Sequence, residues 1–154
     1  MVKKSSKKKQ KQFLVLHGPN LNLLGTREPE IYGSMTLPQL NAKIKKFATE
    51  QGFKIKTLQS NSEGKLIDTL HACREWADGI VFNPGAYTHY SYALRDAVAS
   101  IDIPTVEVHL SDIHQREDFR KISVIEPVCI QQICGLGWKS YIEGLKVLLK
   151  EVKK

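Results

Sequence analysis

Apolar and polar residues along the chain alternate between two periods. Residues 13–17 form a short apolar run that stops at Gly18-Pro19, a turn signal. Residues 18–35 carry three glycines, two prolines and little periodicity, so they predict a long loop, the kind a compact domain keeps for function. Thr36 and Gln39 have the spacing of a capping box, and the helix they open is expected to end before Gly52. Residues 53–59 set Phe53, Ile55, Thr57 and Gln59 against Lys54, Lys56 and Leu58, the alternation of a half-buried strand. From Ser62 the period lengthens, and Leu66, Leu70, Cys73 and Ala77 mark one face of a helix. A third strand is expected over 79–82, ending at Asn83-Pro84-Gly85, and a helix over about 90–100. Residues 105–110 and 128–134 read as the fourth and fifth strands. Gly137 then opens a last helix with Trp138, Tyr141, Ile142, Leu145, Leu148 and Leu149 on its apolar side.

Five strands alternating with helices predict an α/β fold, a parallel sheet between two helical layers. Right-handed crossovers narrow the topology to a flavodoxin-like doubly wound sheet with strand order 2-1-3-4-5. Ligands in such sheets bind beyond the C-terminal strand ends, where the strand order reverses. The relevant ends are His17-Gly18-Pro19-Asn20, Asn83-Pro84-Gly85-Ala86-Tyr87-Thr88-His89 and Glu107-Val108-His109-Leu110-Ser111, all dense in hydrogen-bonding groups.

Composition changes this picture little. The 154 residues suffice for one domain with a real core, and 42% hydrophobic with 25% charged residues is ordinary for a globular chain. No apolar run approaches the roughly 18 residues of a membrane helix. The net charge of +7 is concentrated: six lysines and no acid lie in residues 1–12, which leaves +1 for residues 13–154. Residues 1–12 are therefore expected to be a disordered basic tail, with a single domain over 13–154. The tail does not have the apolar core of a secretory signal. A basic arm also raises a second reading, a binding module that contacts nucleic acid. Cys73, Cys129 and Cys134 cannot all pair with one another, and none has a Cys-x-x-Cys spacing. They read as reduced thiols of a cytoplasmic protein, with Cys129 and Cys134 as small buried hydrophobes. No cysteine has a histidine at local ligand spacing, so no metal site is expected.

Cofactor motifs fail. Gly135-Leu136-Gly137-Trp138-Lys139-Ser140 opens a helix after a strand, yet Ser140 replaces the third glycine of a dinucleotide loop. Lys139 does not follow a glycine directly, so a phosphate loop fails too. The segment reads as a packing turn. His71 and His114 read as structural or surface residues, and the role of His17 is left open.

Three strings carry a resemblance. They are residues 18–33 (GPNLNLLGTREPEIYG), residues 83–89 followed by Ala93-Leu94-Arg95-Asp96-Ala97, and residues 107–111 with Arg116 and Phe119-Arg120 downstream. Together they resemble type II 3-dehydroquinate dehydratase, and the resemblance runs from Phe13 to about Leu149. It implies loss of water from 3-dehydroquinate to give 3-dehydroshikimate, by anti elimination through an enolate, in the shikimate route to aromatic amino acids. No cofactor, metal or Schiff-base lysine is implied.

The resemblance also assigns roles. Tyr32 corresponds to the proton acceptor. A phenol titrates near pH 10, so serving as base near neutrality takes about 4 kcal/mol of preferential phenolate stabilisation. Arg27 corresponds to the cation that supplies it, assisted by Arg116. His109 corresponds to the proton donor and Glu107, on the same face of its strand, to its orienting carboxylate. Asn20 corresponds to a group that holds a water or the enolate oxygen. Asn83, His89 and Arg120 correspond to residues that hold ring hydroxyls, and Leu110 and Ser111 to the carboxylate site. Asp96 corresponds to a residue that reaches a neighbouring subunit, since a homododecamer built of trimers is implied. Asp112 and Gln131 depart from the family's usual asparagine and small residue, and His17 stands where asparagine is often seen. If buried, Gln131 would need a hydrogen-bond partner.

Overall fold

The computed structural model of the chain describes residues 9–26 and 28–153, with every side chain among them except that of Tyr32. In chain order the elements are β1 (Gln12–His17), α1 (Pro29–Tyr32), α2 (Leu37–Gln51), β2 (Lys54–Gln59), α3 (Glu63–Ala72), β3 (Gly79–Asn83), α4 (Tyr92–Ile101), β4 (Thr105–Val108), β5 (Gln131–Ile133) and α5 (Lys139–Glu151). The five strands form one parallel sheet in the order β2-β1-β3-β4-β5, as the crossover argument requires.

The period-two rule sorts the core into two layers. Phe13 and Val15 of β1, with Val81, Val106 and Val108, face α2 and α5, where they meet Leu40, Ile44, Ala48, Tyr141, Leu145 and Leu148. Leu14 and Leu16, with Ile80 and Phe82, face α3 and α4, where they meet Leu66, Leu70, Leu94, Ala97 and Val98. Gly144 lets α5 lie close on this sheet, since a Cβ there would stand 3.1 Å from Val108 Cγ1. The central strands β1, β3 and β4 are buried almost throughout, whereas the edge strand β2 alternates exposed and half-buried residues.

The capping box at Thr36 forms as expected: the Thr36 hydroxyl accepts from Gln39 N, and the Gln39 side chain accepts from Thr36 N. Ser62 caps α3 with its hydroxyl alone, which accepts from Lys65 N.

Several boundaries differ from expectation. Strand β1 starts at Gln12, whose backbone is tied to Asp78, and Lys54 N donates to Lys11 O at 2.8 Å. Strand β5 spans only Gln131–Ile133, because residues Glu126–Val128 coil into a 3-10 turn around Pro127. Gln131 is exposed on this edge strand and incurs no burial cost. Cys129 and Cys134 are half-buried rather than core residues, for the same reason. All three cysteines are free. Burial pushes the Cys73 thiol up to about 11 and raises those of Cys129 and Cys134 as well. Helix α4 begins at Tyr92, two residues late, because Ser91 takes the cap by accepting from Leu94 N. The stretch 18–35 is not wholly irregular: it holds a 3-10 turn at Leu21–Leu23 and the short α1. No helix among the described residues is long and apolar enough to cross a membrane.

Candidate active site

The strand order reverses between β1 and β3, whose last residues His17 and Asn83 are register partners. Beyond that pair the segments that follow β1 and β3 meet at close quarters. Gly18 N donates to Asn83 O at 2.7 Å, and a Cβ on Gly18 would lie 2.6 Å from the carbonyl of Pro84. Only glycine fits there. The contact holds the Pro19-Asn20 turn against the Pro84-Gly85 turn.

A cavity of about 120 Å³ opens over this crossing. It brings together Asn20, Asn83, His89, His109, Leu110, Ser111, Arg116 and Arg120, all anticipated from sequence, together with Pro19, Leu21, Gly85, Ala86 and Ile113. Asp96 does not line it and sits exposed on α4. Arg27 and the side chain of Tyr32 lie outside the described residues; the backbone of Tyr32 ends α1. A second cavity of about 480 Å³ shares Leu110 and Ser111 with the first and is walled by Leu24, Ile31, Gly33, Ser34 and Met35. The 18–35 stretch therefore borders the cluster of candidate residues. A larger space, about 640 Å³, lies by Lys54 and Trp76 at the N-terminal end of β2 and holds none of them.

Asn20 adopts a left-handed backbone (φ 67°), and its N–H donates to Asn61 Oδ1 at 2.9 Å. Asparagine tolerates that conformation better than most residues, so the turn can keep a polar side chain at the cavity. Arg116 is mostly buried and approaches the Glu28 carboxylate at 4.0 Å. Arg120 donates to Glu117 at 3.1 Å. His89 donates Nδ1–H to Ile122 O at 2.7 Å, which leaves Nε2 as the acceptor. Burial is the main influence on this imidazole and lowers its pKa.

Glu107 lies fully buried below His109. Its carboxylate accepts from His109 Nε2, from Thr88 Oγ1 at 2.8 Å, from Ser123 Oγ at 2.7 Å and from Gln132 Nε2 at 3.0 Å. Burial opposes ionisation of this group, but the hydrogen bond and charge of His109 and the two hydroxyls outweigh it and hold the carboxyl below its ordinary range. His109 thus has a fixed ring orientation and Nδ1 as its remaining nitrogen. Sequence reasoning missed Thr88, Ser123 and Gln132. Thr88 lies within the 83–89 string, while Ser123 and Gln132 carry no local signal.

A second buried network explains His17. Asn83 Nδ2 donates to Tyr141 Oη at 3.0 Å, Tyr141 donates to His17 Nδ1 at 2.9 Å, and His17 Nε2–H donates to Asn41 Oδ1 at 2.7 Å. Asn83 Oδ1 accepts from Gly85 N at 3.0 Å. The amide at the cavity is thereby anchored on its far side by three residues. Burial pushes the Tyr141 phenol above its ordinary range and lowers His17 to about 4. The unfolded chain therefore binds a proton at His17 that the folded chain refuses. That contribution to stability is complete above pH 6.5 and is lost as the pH falls toward 4, by about 3 kcal/mol in total. Urea unfolding across this window should show the loss, and His17→Asn should flatten it; an unchanged slope in the variant would assign the loss elsewhere.

The chain's relatives accord with this geometry. The family described as dehydroquinase class II matches residues 11–149. The 3-dehydroquinate dehydratase of Pelotomaculum thermopropionicum is 61% identical over 135 residues, covering 88% of this chain and 94% of that protein. That of Geotalea daltonii is 54% identical over 143 residues, covering 93% and 99%. The crystal structure of type II dehydroquinase from Butyrivibrio crossotus superposes with a TM-score of 0.90 at 47% identity, covering 91% of this chain and 98% of that one. With the match running from the first strand to the last helix, the chain belongs to the class II dehydroquinase family.

Proposed function

We propose that the chain is a 3-dehydroquinate dehydratase that removes water from 3-dehydroquinate by anti elimination through an enolate, in the shikimate route to aromatic amino acids. The observation that carries the reading is the Glu107–His109 pair set beneath a cavity lined by Asn20, Asn83, Arg116 and Arg120, in a member of this family.

The phenolate of Tyr32 takes the proton from the carbon beside the ketone, and Arg27 with Arg116 stabilises that phenolate. The electron pair passes to the ketone oxygen, where Asn20, directly or through a water, stabilises the enolate. The enolate then expels the hydroxyl, which takes a proton from His109 Nδ1 and leaves as water. A carbon–carbon double bond replaces the broken carbon–oxygen bond. Glu107 orients the imidazole and compensates its charge. His89 Nε2, Asn83 and Arg120 hold ring hydroxyls, and Leu110 and Ser111 take the substrate carboxylate. No cofactor takes part. The assembly is a homo-oligomer built of trimers, a dodecamer in which Asp96 reaches a neighbouring site, and it resides in the cytoplasm. The basic arm ends before Lys11, because Lys11 O accepts from Lys54 N and Gln12 already belongs to β1. The comparisons lend no support to the nucleic-acid reading, and residues 1–8 of the arm lie outside the described residues.

Mixing the purified protein with 3-dehydroquinate should produce the near-ultraviolet absorbance of a conjugated enone. Turnover should persist in excess chelator, and borohydride should trap no lysine adduct. Failure of a folded oligomer to turn over substrate would refute the assignment.

A further inference from the structure

Local spacing excluded a metal site, yet the fold brings three ligand types together. Asp112 and His114 follow β4, and Cys134 is the residue after β5. Their donor atoms, a carboxylate oxygen, an imidazole nitrogen and a thiol sulfur, all lie within 4.8 Å of one another. The geometry points to a binding site for a zinc-class divalent cation at Asp112, His114 and Cys134.

Both loops that carry these residues are fastened before any cation arrives. Gly135 N donates to Ser111 O at 3.1 Å, and the ladder extends one step past β4 through His109 N to Ile133 O at 2.9 Å. Asp112 accepts from the His114 backbone N–H at 3.0 Å, and Cys134 Sγ stands 3.8 Å from Asp112 Oδ1. Gly135 leaves room for this approach, since a Cβ on it would come to 3.2 Å from Asp112 Cβ. His114 Nε2 meets Gln132 Oε1 at 3.2 Å. The tautomer that donates this bond leaves Nδ1 with the lone pair a metal requires, and an outer partner of this kind is usual for a ligating imidazole.

The donor set selects the class of ion. One sulfur and one nitrogen among three donors disfavour magnesium and calcium, which prefer oxygen throughout, and suit zinc or cobalt. Zinc ligands in tetrahedral sites sit about 2.0–2.3 Å from the metal, so the three donors must close in by roughly an ångström. Half-buried and exposed side chains can make that adjustment. Binding converts the Cys134 thiol to a thiolate and releases its proton to solvent. Thiolate, carboxylate and neutral imidazole then balance the two positive charges of the ion. The fourth position is open to water. Through Gln132 the site adjoins the Glu107 carboxylate, but the proposed elimination does not need it.

The test uses the untagged, full-length protein, reduced and freed of metal, titrated with Co(II). The expected result is one equivalent bound, with visible bands of tetrahedral intensity and a near-ultraviolet sulfur-to-cobalt band, all removed by Zn(II). Cys134→Ser should lose the sulfur band, and His114→Gln should weaken binding by at least about tenfold. Because His114 is exposed, that second variant keeps the test valid should the cysteine variant fold poorly. Absence of the sulfur band in the unaltered protein, its survival in Cys134→Ser, or unchanged affinity in His114→Gln would each overturn the proposal.

Discussion

Replacing Tyr32 by phenylalanine should lower kcat by about 10²–10⁴ while leaving the affinity for a non-reacting substrate analogue essentially intact. Phenylalanine keeps the ring and removes only the oxygen that accepts the proton. Uniform binding contacts survive this change, so the loss should fall on kcat rather than on binding. Steady-state kinetics with calorimetry of the analogue separates the two. Near-normal turnover in Tyr32→Phe would remove the phenolate from the mechanism and leave the family assignment untouched. Loss of analogue binding as well would show that the hydroxyl anchors the ligand rather than the proton.

Glu107→Ala should destabilise the fold by about 3–5 kcal/mol, the usual consequence of removing one partner of a buried charged pair. Four donors converge on this carboxylate, from His109, Thr88, Ser123 and Gln132, and alanine leaves all four without their acceptor. His109, Ser123 and Thr88 outweigh burial and place the carboxyl below its ordinary range, so its stabilising effect is present above the unfolded value near 4.5 and is lost as the pH falls through the lower folded value. Urea unfolding at neutral pH measures the alanine effect. A loss under about 1 kcal/mol would mean that the hub is not holding these side chains. Below pH 4.5 the acid instability should be smaller in the variant, which distinguishes it from the His17 transition at higher pH.

These two residues show how unevenly the chain announces its site. Glu107 and His109 were legible through the resemblance carried by residues 107–111; the two-residue spacing adds only that they share a face, on the strand beside the β1–β3 reversal. Asn20, Asn83, His89, Arg116 and Arg120 were legible because they fall within or just beyond the same strings, and they do line one cavity. Thr88, Ser123 and Gln132 were not assigned, although they orient the carboxylate on which His109 rests. A serine in an irregular segment gives no periodic signal, and its partner is settled by which loop crosses which strand.

The length of β5 was misread for a related reason. Residues 128–134 have the apolar content of a strand, but an apolar run does not say how many of its amides will find a ladder. The 3-10 turn through Pro127 takes up the Val128 and Cys129 amides, and the edge position tolerates the remainder half-exposed.

The sequence by itself determined the alternation of strand and helix, the cap at Thr36, the strand order, and the turns that must carry chemistry. Each follows from local geometry: a period of two or 3.6, a hydroxyl three residues from an orphan amide, a crossover of one hand. Only the tertiary structure decided that His17 is a neutral tie between Asn41 and Tyr141, that Thr88, Ser123 and Gln132 join His109 on Glu107, and that Asp112, His114 and Cys134 meet. His17 and Tyr141 stand 124 residues apart in the chain. A hydrogen bond between groups so distant depends on the packing of whole elements, and no local pattern encodes it.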